Sequence, residues 1–500
     1  MRNLSKSKLI AFRQCPKRFW LEINQPELRQ DSADTQASFQ VGHTVGEIAQ
    51  RLYDPENRGV LIDAQADGYE AAFTRTRELL ASNQPVFEAG FCEKGALAFA
   101  DVMLPDPANE GSWRMIEVKS SSEVKPYHRD DAAIQAFVAR QAGVRLASIA
   151  LAHIDSRWVY PGGHDYRGLL TEEDLTEEAL GREDEVVSWI SEAQALAVQD
   201  SPPRVVTGKQ CTTPYECGFI NYCRAQEPAT DYPVTWLPQI RAKALVAKIE
   251  SGAKDMRDVP DALLNAAQLR VKSHSLNGEI YFDSAGAASD LADCDFPAYF
   301  LDFETIRFVV PIWAGTRPFQ QIPFQFSLHC LSREGELRHH AYLDLSGNDP
   351  SRPFAEALVQ MCGETGPVFV YNAGFETARI KELAERFADL AEPLLAINTR
   401  VVDLLPIARE RYYHPDQHGS WSIKKVLPAI APELNYQLLD GVQDGGMAMD
   451  AFLEAIANST PAERKSQIER QLLDYCKLDT LAMVKLWQFF SGRSGLVVSS

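Results

Sequence analysis

A stretch of eight residues, Ala298 to Thr305 with the sequence AYFLDFET, constrains the fold of this chain most strongly. Its apolar and aromatic residues predict a buried strand, but Asp302 and Glu304 interrupt them. Because side chains alternate along a strand, both carboxylates point to the same face. Two acids held this close repel each other and lose hydration, and a Mg²⁺ or Mn²⁺ ion offsets that cost. The stretch therefore predicts a metal site; the alternative is one acid that caps a helix and one that lies in solvent.

The chain has 500 residues, of which 45% are hydrophobic and 24% charged. A chain of this length is too long to fold around a single hydrophobic core. We therefore expect two or three domains. No apolar run reaches about 18 residues, and no apolar signal core follows the amino terminus, which predicts a cytoplasmic protein without membrane contact. The net charge of −19 argues against non-specific coating of nucleic acid. Residues 1–21 are nevertheless basic without a single acid, which indicates either a local nucleic-acid track or a solvated face.

Cysteine spacing connects the two ends of the first half of the chain. Cys211, Cys217 and Cys223 recur at equal intervals, and Cys15 lies in a stretch, LSKSKLIAFRQCPKRFWLE, that predicts one serine-capped helix. Three clustered thiols need a fourth ligand for a tetrahedral site, and Cys15 is the candidate. Such a crosslink would close a loop of roughly 200 residues and restrict the unfolded chain strongly. The alternative is a buried cysteine cluster without metal.

Between these cysteines, two predicted strands carry charged residues in apolar runs. The stretch ALAFADVML contains Asp101, and WRMIEVKS places Glu117 and Lys119 on one face of the next strand. Two acids can hold a metal while an ammonium group orients the attacking water or offsets charge on a phosphate. A second Glu-x-Lys, at Glu123 and Lys125, lies outside any strand pattern. A surface ion pair is the alternative for Glu117 and Lys119.

With these motifs, residues 1–228 resemble the RecB-like nucleases of the PD-(D/E)xK superfamily, in particular the iron–sulfur branch with the CRISPR-associated RecB-like exonucleases and the AddB-type helicase-nucleases. The resemblance implies a restriction-endonuclease-like fold whose ends are joined by a [4Fe-4S] cluster, with zinc as the alternative. It implies as cluster ligands Cys15, Cys211, Cys217 and Cys223, as catalytic groups Asp101, Glu117, Lys119 and Gln135, and as metal ligands Asp101 and Glu117.

This sequence departs from the family pattern at several positions. Ala100 replaces the proline before the motif aspartate, and Ala139 replaces the tyrosine four residues after Gln135. A domain that holds DNA with weakened catalysis therefore remains an alternative. Residues 229–296 predict a helical linker, because apolar and basic residues alternate at helical spacing. The linker resembles either a helix-hairpin-helix element that grips a phosphate backbone or a plain spacer.

Residues 297–500 predict a second α/β module. After AYFLDFET, the alternating IPFQFSLHCLS predicts a strand that pairs with the first as a hairpin, and LRHHAYLDL predicts a third. A helix, the buried strand GPVFVYN and the amphipathic helix AGFETARIKELAERF follow. This order is typical of an RNase H-like mixed sheet with helices on its faces. Further on, GSWSIKKVLPAI places Lys424 and Lys425 at a helix start, which indicates either a phosphate contact or a solvated lysine pair.

The last helix, QLLDYCKLDTLAMVKLWQFF, places two polar residues, Tyr475 and Asp479, one turn apart on the same face. Together with DFE and NAGFE, this YxxxD pattern resembles the DEDD superfamily of 3′–5′ exonucleases. The resemblance implies as catalytic groups Asp302, Glu304, Glu376, Tyr475 and Asp479, and as metal ligands Asp302, Glu304 and Asp479. Glu376 stands where that family has aspartate, so it acts through water or Asp403 substitutes for it. Glu376 also suits the first turn of a helix for purely electrostatic reasons.

Both modules together resemble a bacterial family that fuses an iron–sulfur RecB-like PD-(D/E)xK nuclease domain to a DEDD-type RNase H-like exonuclease domain. The resemblance implies a Mg²⁺- or Mn²⁺-dependent nuclease that acts on nucleic acid, with single-stranded or end-containing DNA as the expected substrate. Repair, processing of DNA and defence are the processes in which such an enzyme is expected. The alternative is a nucleic-acid-binding iron–sulfur scaffold in which one or both nuclease sites are inactive.

Overall fold

The first predicted helix is broken at Cys15. In the computed structural model, which describes residues 2–493 apart from the side chains of residues 33–39, Cys15 is extended, with φ of −161°, between two helices. Pro16 causes the break, because proline has no amide donor and disfavours a helical residue before it. The prediction of one continuous helix is therefore wrong. The predicted serine cap is confirmed at Ser5, whose hydroxyl accepts the amide of Lys8.

The chain divides into two compact units. The first comprises Met1–Pro228 and Phe308–Gln320, and the second comprises Ala229–Arg307 and Gln321–Ser500. The stretch predicted as a linker thus belongs to the second unit. Both units combine helices with sheets, and the broad prediction of a mixed α/β protein is confirmed. None of the helices in residues 2–493 has the length and apolarity that a bilayer crossing requires.

The first unit is built on a seven-stranded mixed sheet. Its strands are β1 (Leu4–Ser5), β2 (Val60–Leu61), β3 (Val86–Glu93), β4 (Ala96–Pro105), β5 (Trp113–Lys119), β6 (Leu146–Ile154) and β7 (Leu170–Asp174). They lie in the order β2-β3-β4-β5-β6-β7, and β1 pairs in parallel with β4. The central β3-β4-β5 meander is antiparallel, whereas β5 and β6 are parallel and therefore need a crossover helix between them.

Nine helices surround this sheet in the described part of the first unit: α1 (Lys6–Gln14), α2 (Pro16–Asn24), α3 (Ala33–Tyr53), α4 (Ala64–Asp67), α5 (Tyr69–Ala81), α6 (Pro126–Gln141), α7 (Thr176–Gly181), α8 (Glu183–Ala197) and α9 (Ile220–Ala225). Helix α6 makes the β5–β6 crossover, and ten of its residues are buried. Helices α1 and α2 pack on each other and on α8, so the amino terminus is part of the core of this unit.

The second unit is built on a five-stranded sheet with a small separate ribbon. Its strands are β8 (Tyr281–Phe282), β9 (Ala298–Arg307), β10 (Gln321–Leu331), β11 (Leu337–Leu343), β12 (Val368–Val370), β13 (Val401–Asp403) and β14 (Tyr412–Tyr413). The sheet order is β11-β10-β9-β12-β13, and β8 pairs with β14. The predicted hairpin is confirmed, since β9 and β10 are antiparallel, while β12 is parallel to both β9 and β13.

The helices described in the second unit are α10 (Lys243–Glu250), α11 (Ala266–Asn277), α12 (Ser284–Asp290), α13 (Ser351–Met361), α14 (Gly374–Arg386), α15 (Ala391–Thr399), α16 (Leu404–Arg411), α17 (Ile423–Ile430), α18 (Gly445–Ile456) and α19 (Ala462–Ser491). The strand β9 separates two packed layers. On one face Phe303 packs against Phe354 of α13, with ring centroids 5.0 Å apart. On the other face Phe300 packs against Trp487 of α19, at 5.9 Å.

Candidate functional site

An acidic centre forms where the apolar contact between β9 and α19 ends. Asp302 and Glu304 continue the strand face that begins with Phe300, and Asp479 lies two turns before Trp487 on the facing helix. One carboxylate oxygen from each of the three acids lies within 4.8 Å of the others. The fold thus brings together three predicted metal ligands, of which Asp479 lies 177 residues after Asp302 and 175 residues after Glu304.

Burial and mutual repulsion raise the pKa values of these carboxylates. Burial and the neighbouring Asp479 raise the pKa of Glu304 to about 8. Burial raises the pKa of Asp479 to about 6, although hydrogen bonds from Tyr436 and the charge of Lys424 oppose this rise. The pKa of Asp302 is raised well above its usual value by burial and by Asp479. Three acids that resist ionisation together fit a divalent cation, which would replace the protons and neutralise the charge.

Two tyrosines and a lysine border the acidic centre. Tyr475 lies one turn before Asp479, as predicted from the YxxxD spacing, and its hydroxyl accepts a hydrogen bond from Lys424 Nζ at 3.2 Å. Tyr436 donates its hydroxyl proton to Asp479 Oδ1 at 2.6 Å. The ammonium of Lys424 lies 5.0 Å from the ring centre of Tyr436 and 4.9 Å from that of Tyr475. Sequence reasoning missed Tyr436, because it lies in a short turn without a motif.

Glu376 approaches the same centre from the first turn of α14. It is 3% exposed, and its Oε2 has no hydrogen-bond partner among the residues that the structure describes. Burial raises the pKa of Glu376 to about 7. Its charge in turn raises the pKa of both Asp302 and Glu304. A buried carboxylate oxygen without a partner is costly, so Glu376 is suited to a ligand that the protein itself does not supply.

Asp403, which was the alternative to Glu376 as a metal ligand, instead has a structural function. Its Oδ1 accepts the amides of Asn372 and Leu405, both at 2.9 Å, and its Oδ2 accepts the amide of Ala373 at 3.0 Å. Asp403 therefore caps α16 and fixes the loop before Glu376. Both carboxylate oxygens of Asp403 accept backbone amides. This geometry therefore does not support Asp403 as a metal ligand in place of Glu376.

In the first unit the structure brings together the four predicted catalytic residues, three of them on the sheet and Gln135 on α6. Asp101 Oδ2 accepts the amide of Val118 at 2.6 Å, which holds β4 against β5. Lys119 Nζ donates to Glu117 Oε1, and Gln135 Nε2 donates from α6 to Glu117 Oε2. Burial alone would raise the pKa of Glu117, but Lys119 and the second lysine described below hold it well below its usual value.

Three further charged residues lie at this site, and sequence reasoning missed them. Lys6 Nζ, from the start of α1, lies 2.9 Å from Glu117 Oε1 and 3.4 Å from Asp131 Oδ1. Asp131 also accepts a hydrogen bond from Lys119 at 2.6 Å. Glu88 has φ of 55° inside β3, between Phe87 and Ala89, which pair with Val102 and Ala100 on β4. Contacts across more than 100 residues leave no local sequence pattern, so no signal was available for Lys6.

The four predicted cluster cysteines line one small cavity of the first unit. All are free thiols, and Cys15, Cys211 and Cys217 are buried. Gln14, which precedes Cys15, donates from Nε2 to the carbonyls of Gln210 and Tyr215, both at 2.8 Å. These bonds hold the α1–α2 break beside the later cysteines. Among the described residues, however, the four sulfur atoms do not form a group as close as the acids of the second unit, so a metal on these cysteines stays a prediction.

Comparison with known proteins gives a family match for part of the second unit. The model of a domain of unknown function, DUF2779, matches residues 299–422, about a quarter of the chain. The matched residues include Asp302, Glu304 and Glu376, and they end before α19. This match covers too little of the chain to assign the whole protein to that family.

The chain is also similar to two curated proteins. "Uncharacterized protein MG366 homolog" of Mycoplasma pneumoniae is 29% identical over 209 residues, which cover 38% of this chain and 31% of the relative. "Uncharacterized protein MG366" of Mycoplasma genitalium is 27% identical over 210 residues, with the same coverage. The chain thus matches less than a third of the length of these relatives. A solved structure titled "Crystal structure of SSO0001" covers 45% of this chain and 88% of its own, with 17% identity and a TM-score of 0.23, and supports no conclusion about this chain.

Proposed function

We propose that the second unit is a divalent-metal-dependent nuclease that removes nucleotides from the 3′ end of nucleic acid, with DNA as the expected substrate. The observation that carries this proposal is the convergence of Asp302, Glu304 and Asp479 within 4.8 Å, beside Tyr475. These three acids, of which Glu304 and Asp479 are buried and Asp302 is partly buried, have raised pKa values and no evident value for stability, because uncompensated charge destabilises a folded core. Perturbed carboxylates in one cluster are instead typical of a catalytic site.

In this proposal each residue has a separate task. Asp302, Glu304 and Asp479 would hold Mg²⁺ or Mn²⁺, which supplies an activated water and stabilises the leaving 3′ oxygen of a phosphodiester. Tyr475 orients the attacking water through its hydroxyl, whose orientation Lys424 fixes. Tyr436 holds the carboxylate of Asp479 in place. Glu376 has one free oxygen with which to bind a water molecule near the acids.

For the first unit we propose a RecB-like domain that carries a [4Fe-4S] cluster, or zinc, on Cys15, Cys211, Cys217 and Cys223. One observation favours a domain that holds DNA with weakened catalysis. Both oxygens of Glu117 already have side-chain partners, two lysines on Oε1 and Gln135 on Oε2. A cation at Glu117 and Asp101 would have to displace these lysines, so the second unit is the better candidate for the principal activity.

The full-length protein, purified without oxygen, tests this proposal on end-labelled single- and double-stranded DNA and RNA. We expect Mn²⁺- or Mg²⁺-dependent release of mononucleotides from single-stranded DNA. Asp302→Ala should reduce the rate by at least about a hundredfold, because a metal ligand is lost. Asp474→Ala, which removes an exposed acid on the same helix as Asp479, should leave it within about twofold of the wild type.

Glu117→Ala is the paired variant for the first unit, and it should change the rate less than Asp302→Ala does. Full activity in Asp302→Ala would refute the assignment to the second unit. Binding of DNA without cleavage by the wild-type protein at any metal concentration would instead favour the scaffold alternative.

A further inference from the structure

A cavity of about 670 Å³ in the second unit adjoins the acidic centre, and the proposed chemistry does not use it. We call it the Arg409 cavity. The residues that matter for its chemistry are Gln239, Asn372, Arg409, Ser420, Trp421 and Ser422. Its volume lies in the range of roughly 300–1,000 Å³ that is usual for ligand sites, and it opens beside the carboxyl end of β12.

Two chain segments connect the Arg409 cavity with the acidic centre. In the first, β12 pairs with β9 at Phe369 and Phe300, and the cavity residue Tyr371 and the acid Asp302 each lie two residues beyond this pair. The chain then continues through Asn372 to Glu376. Because parallel strands carry their carboxyl ends to the same edge, the cavity and the acids share one edge of the sheet.

The second connecting segment is the start of α17. Ser422 and Ile423 line the cavity, and the next residue, Lys424, reaches Tyr475 at the acidic centre. Tyr371 donates its hydroxyl proton to the carbonyl of Trp421 at 2.5 Å, which joins the two segments to each other. A ligand that fills the cavity therefore contacts the same two segments that carry Glu376 and Lys424 to the acidic centre.

The charge in the Arg409 cavity is opposite to that of the acidic centre. Arg409 is exposed, and no carboxylate lies within ion-pair distance of it in the described part of the chain. The other polar side chains that line the cavity are amides and hydroxyls, which donate hydrogen bonds to phosphate and sugar oxygens. An unpaired guanidinium among neutral donors fits a phosphate group, since arginine binds phosphate through two parallel hydrogen bonds.

We propose that the Arg409 cavity holds the single strand next to the nucleotide that is removed, with Arg409 on a backbone phosphate and with amides and hydroxyls on sugar and phosphate oxygens. This inference rests on the proposed function of the acidic centre. A cavity of this size admits one strand, whereas a duplex is too wide to enter it. DNA and RNA share the phosphodiester chemistry that Arg409 recognises, so both strands are compared in the test.

Binding is measured in the full-length chain with Asp302→Asn, in the presence of Ca²⁺, so that the strand is not hydrolysed. The probes are a short fluorescent oligothymidylate, the matching oligouridylate and a blunt DNA duplex. Arg409→Glu should weaken binding of the single strands at least about tenfold. Arg338→Glu makes the same charge change on the exposed edge strand β11, outside the cavity, and should change binding less than about twofold.

The salt dependence separates a phosphate contact from a general loss of structure. Arg409→Gln should lower the slope of log Kd against log salt concentration by about 0.7, the value for one phosphate contact on a single strand. A variant that merely perturbs the fold would weaken binding without this change of slope. Equal slopes in Arg409→Gln and the parent protein, equal binding by Arg409→Glu and Arg338→Glu, or a preference for the duplex would each overturn the proposal.

A small substrate distinguishes failure of this inference from failure of the proposed function. The p-nitrophenyl ester of thymidine 5′-monophosphate reaches the acidic centre without a second nucleotide. With Asp302 intact, Arg409→Glu should lower the ratio of oligonucleotide to ester kcat/KM at least about tenfold, and Arg338→Glu should not. A wild-type protein that cleaves neither substrate refutes the exonuclease proposal, while binding that depends on Arg409 would still support the cavity.

Discussion

Lys424 and Lys425 follow one another in the chain, but only the first reaches the acidic centre. Lys424 Nζ donates to the carbonyl of Gln443 at 2.8 Å and to Tyr475 Oη at 3.2 Å, whereas Lys425 is exposed. We expect Lys424→Met to lower kcat for strand cleavage at least about tenfold, because the Tyr475 hydroxyl loses the donor that orients it. Lys425→Met, assayed in parallel on the same oligonucleotide, should stay within about twofold; equal losses in both variants would contradict this function of Lys424.

The raised pKa of Glu304 predicts how pH acts on the metal-free protein. Its value of about 8, caused by burial and by Asp479, exceeds the usual 4.5, so the folded protein binds this proton more tightly than the unfolded chain. The contribution of this proton to the free energy of unfolding is fully present below about pH 4.5 and is lost as the pH rises through 8. In EDTA the melting temperature of the second unit should therefore be lower at pH 8 than at pH 6, and Glu304→Gln should reduce this difference.

A divalent cation should reverse the loss at pH 8. Mn²⁺ at about a hundred times its Kd stabilises the folded state by about 2.7 kcal/mol, which raises the melting temperature of a unit of this size by several degrees. Thermal scans of the wild type and of Asp302→Ala, with EDTA or Mn²⁺, make the comparison. A shift of equal size in both proteins would show that the cation binds elsewhere.

At the scale of elements, the residues at the break between α1 and α2 contact the segment with the later cysteines, so they hold both ends of the first unit together. We expect the anaerobically purified protein to contain iron, and Cys217→Ser to lose it, because one of four thiolate ligands is absent. Cys92→Ser is the matched control, since Cys92 lies on β3 of the same unit and does not line the cysteine cavity. Metal analysis and the visible spectrum are the measurements. Zinc in place of iron would refute the iron–sulfur cluster but not the four-thiol site.

The sequence predicts those elements whose signal is local. Period-two alternation from Phe324 to Cys330 predicts β10 and its pairing with β9, and the one-turn spacing of Tyr475 and Asp479 places both at one site. Tyr436 has no such pattern, because it reaches Asp479 from a turn 43 residues away in the chain. Pro16, by contrast, carries a local signal for a helix break that the apolar periodicity of its neighbours concealed.

At the scale of the whole molecule, one short segment belongs to a different unit from the strands that flank it in sequence. Residues 308–320 lie between β9 and β10 of the second unit, yet they belong to the first. There Val309, Val310 and Phe319 pack beside the buried residues Val45, Ile48, Ile154 and Leu169. Its backbone is held as well, since Tyr160 donates to the carbonyl of Thr316 at 2.9 Å and Gly315 donates to that of Tyr160 at 2.8 Å. No sequence pattern reveals this exchange, because the segment is short and these partners lie at least 140 residues earlier.

This arrangement permits the two units to be perturbed separately. Arg307 and Gln321 are paired across the β9–β10 ladder, so an Asn-Gly turn can replace residues 308–320 without altering that hairpin. The replacement removes apolar residues from the first unit and should lower its unfolding transition by several degrees in calorimetry. Metal-dependent release of nucleotides by the second unit should persist within about threefold, since its acids lie on β9 and α19. Loss of that activity, with the first transition unchanged, would contradict the division of the chain and place residues 308–320 functionally with the exonuclease centre.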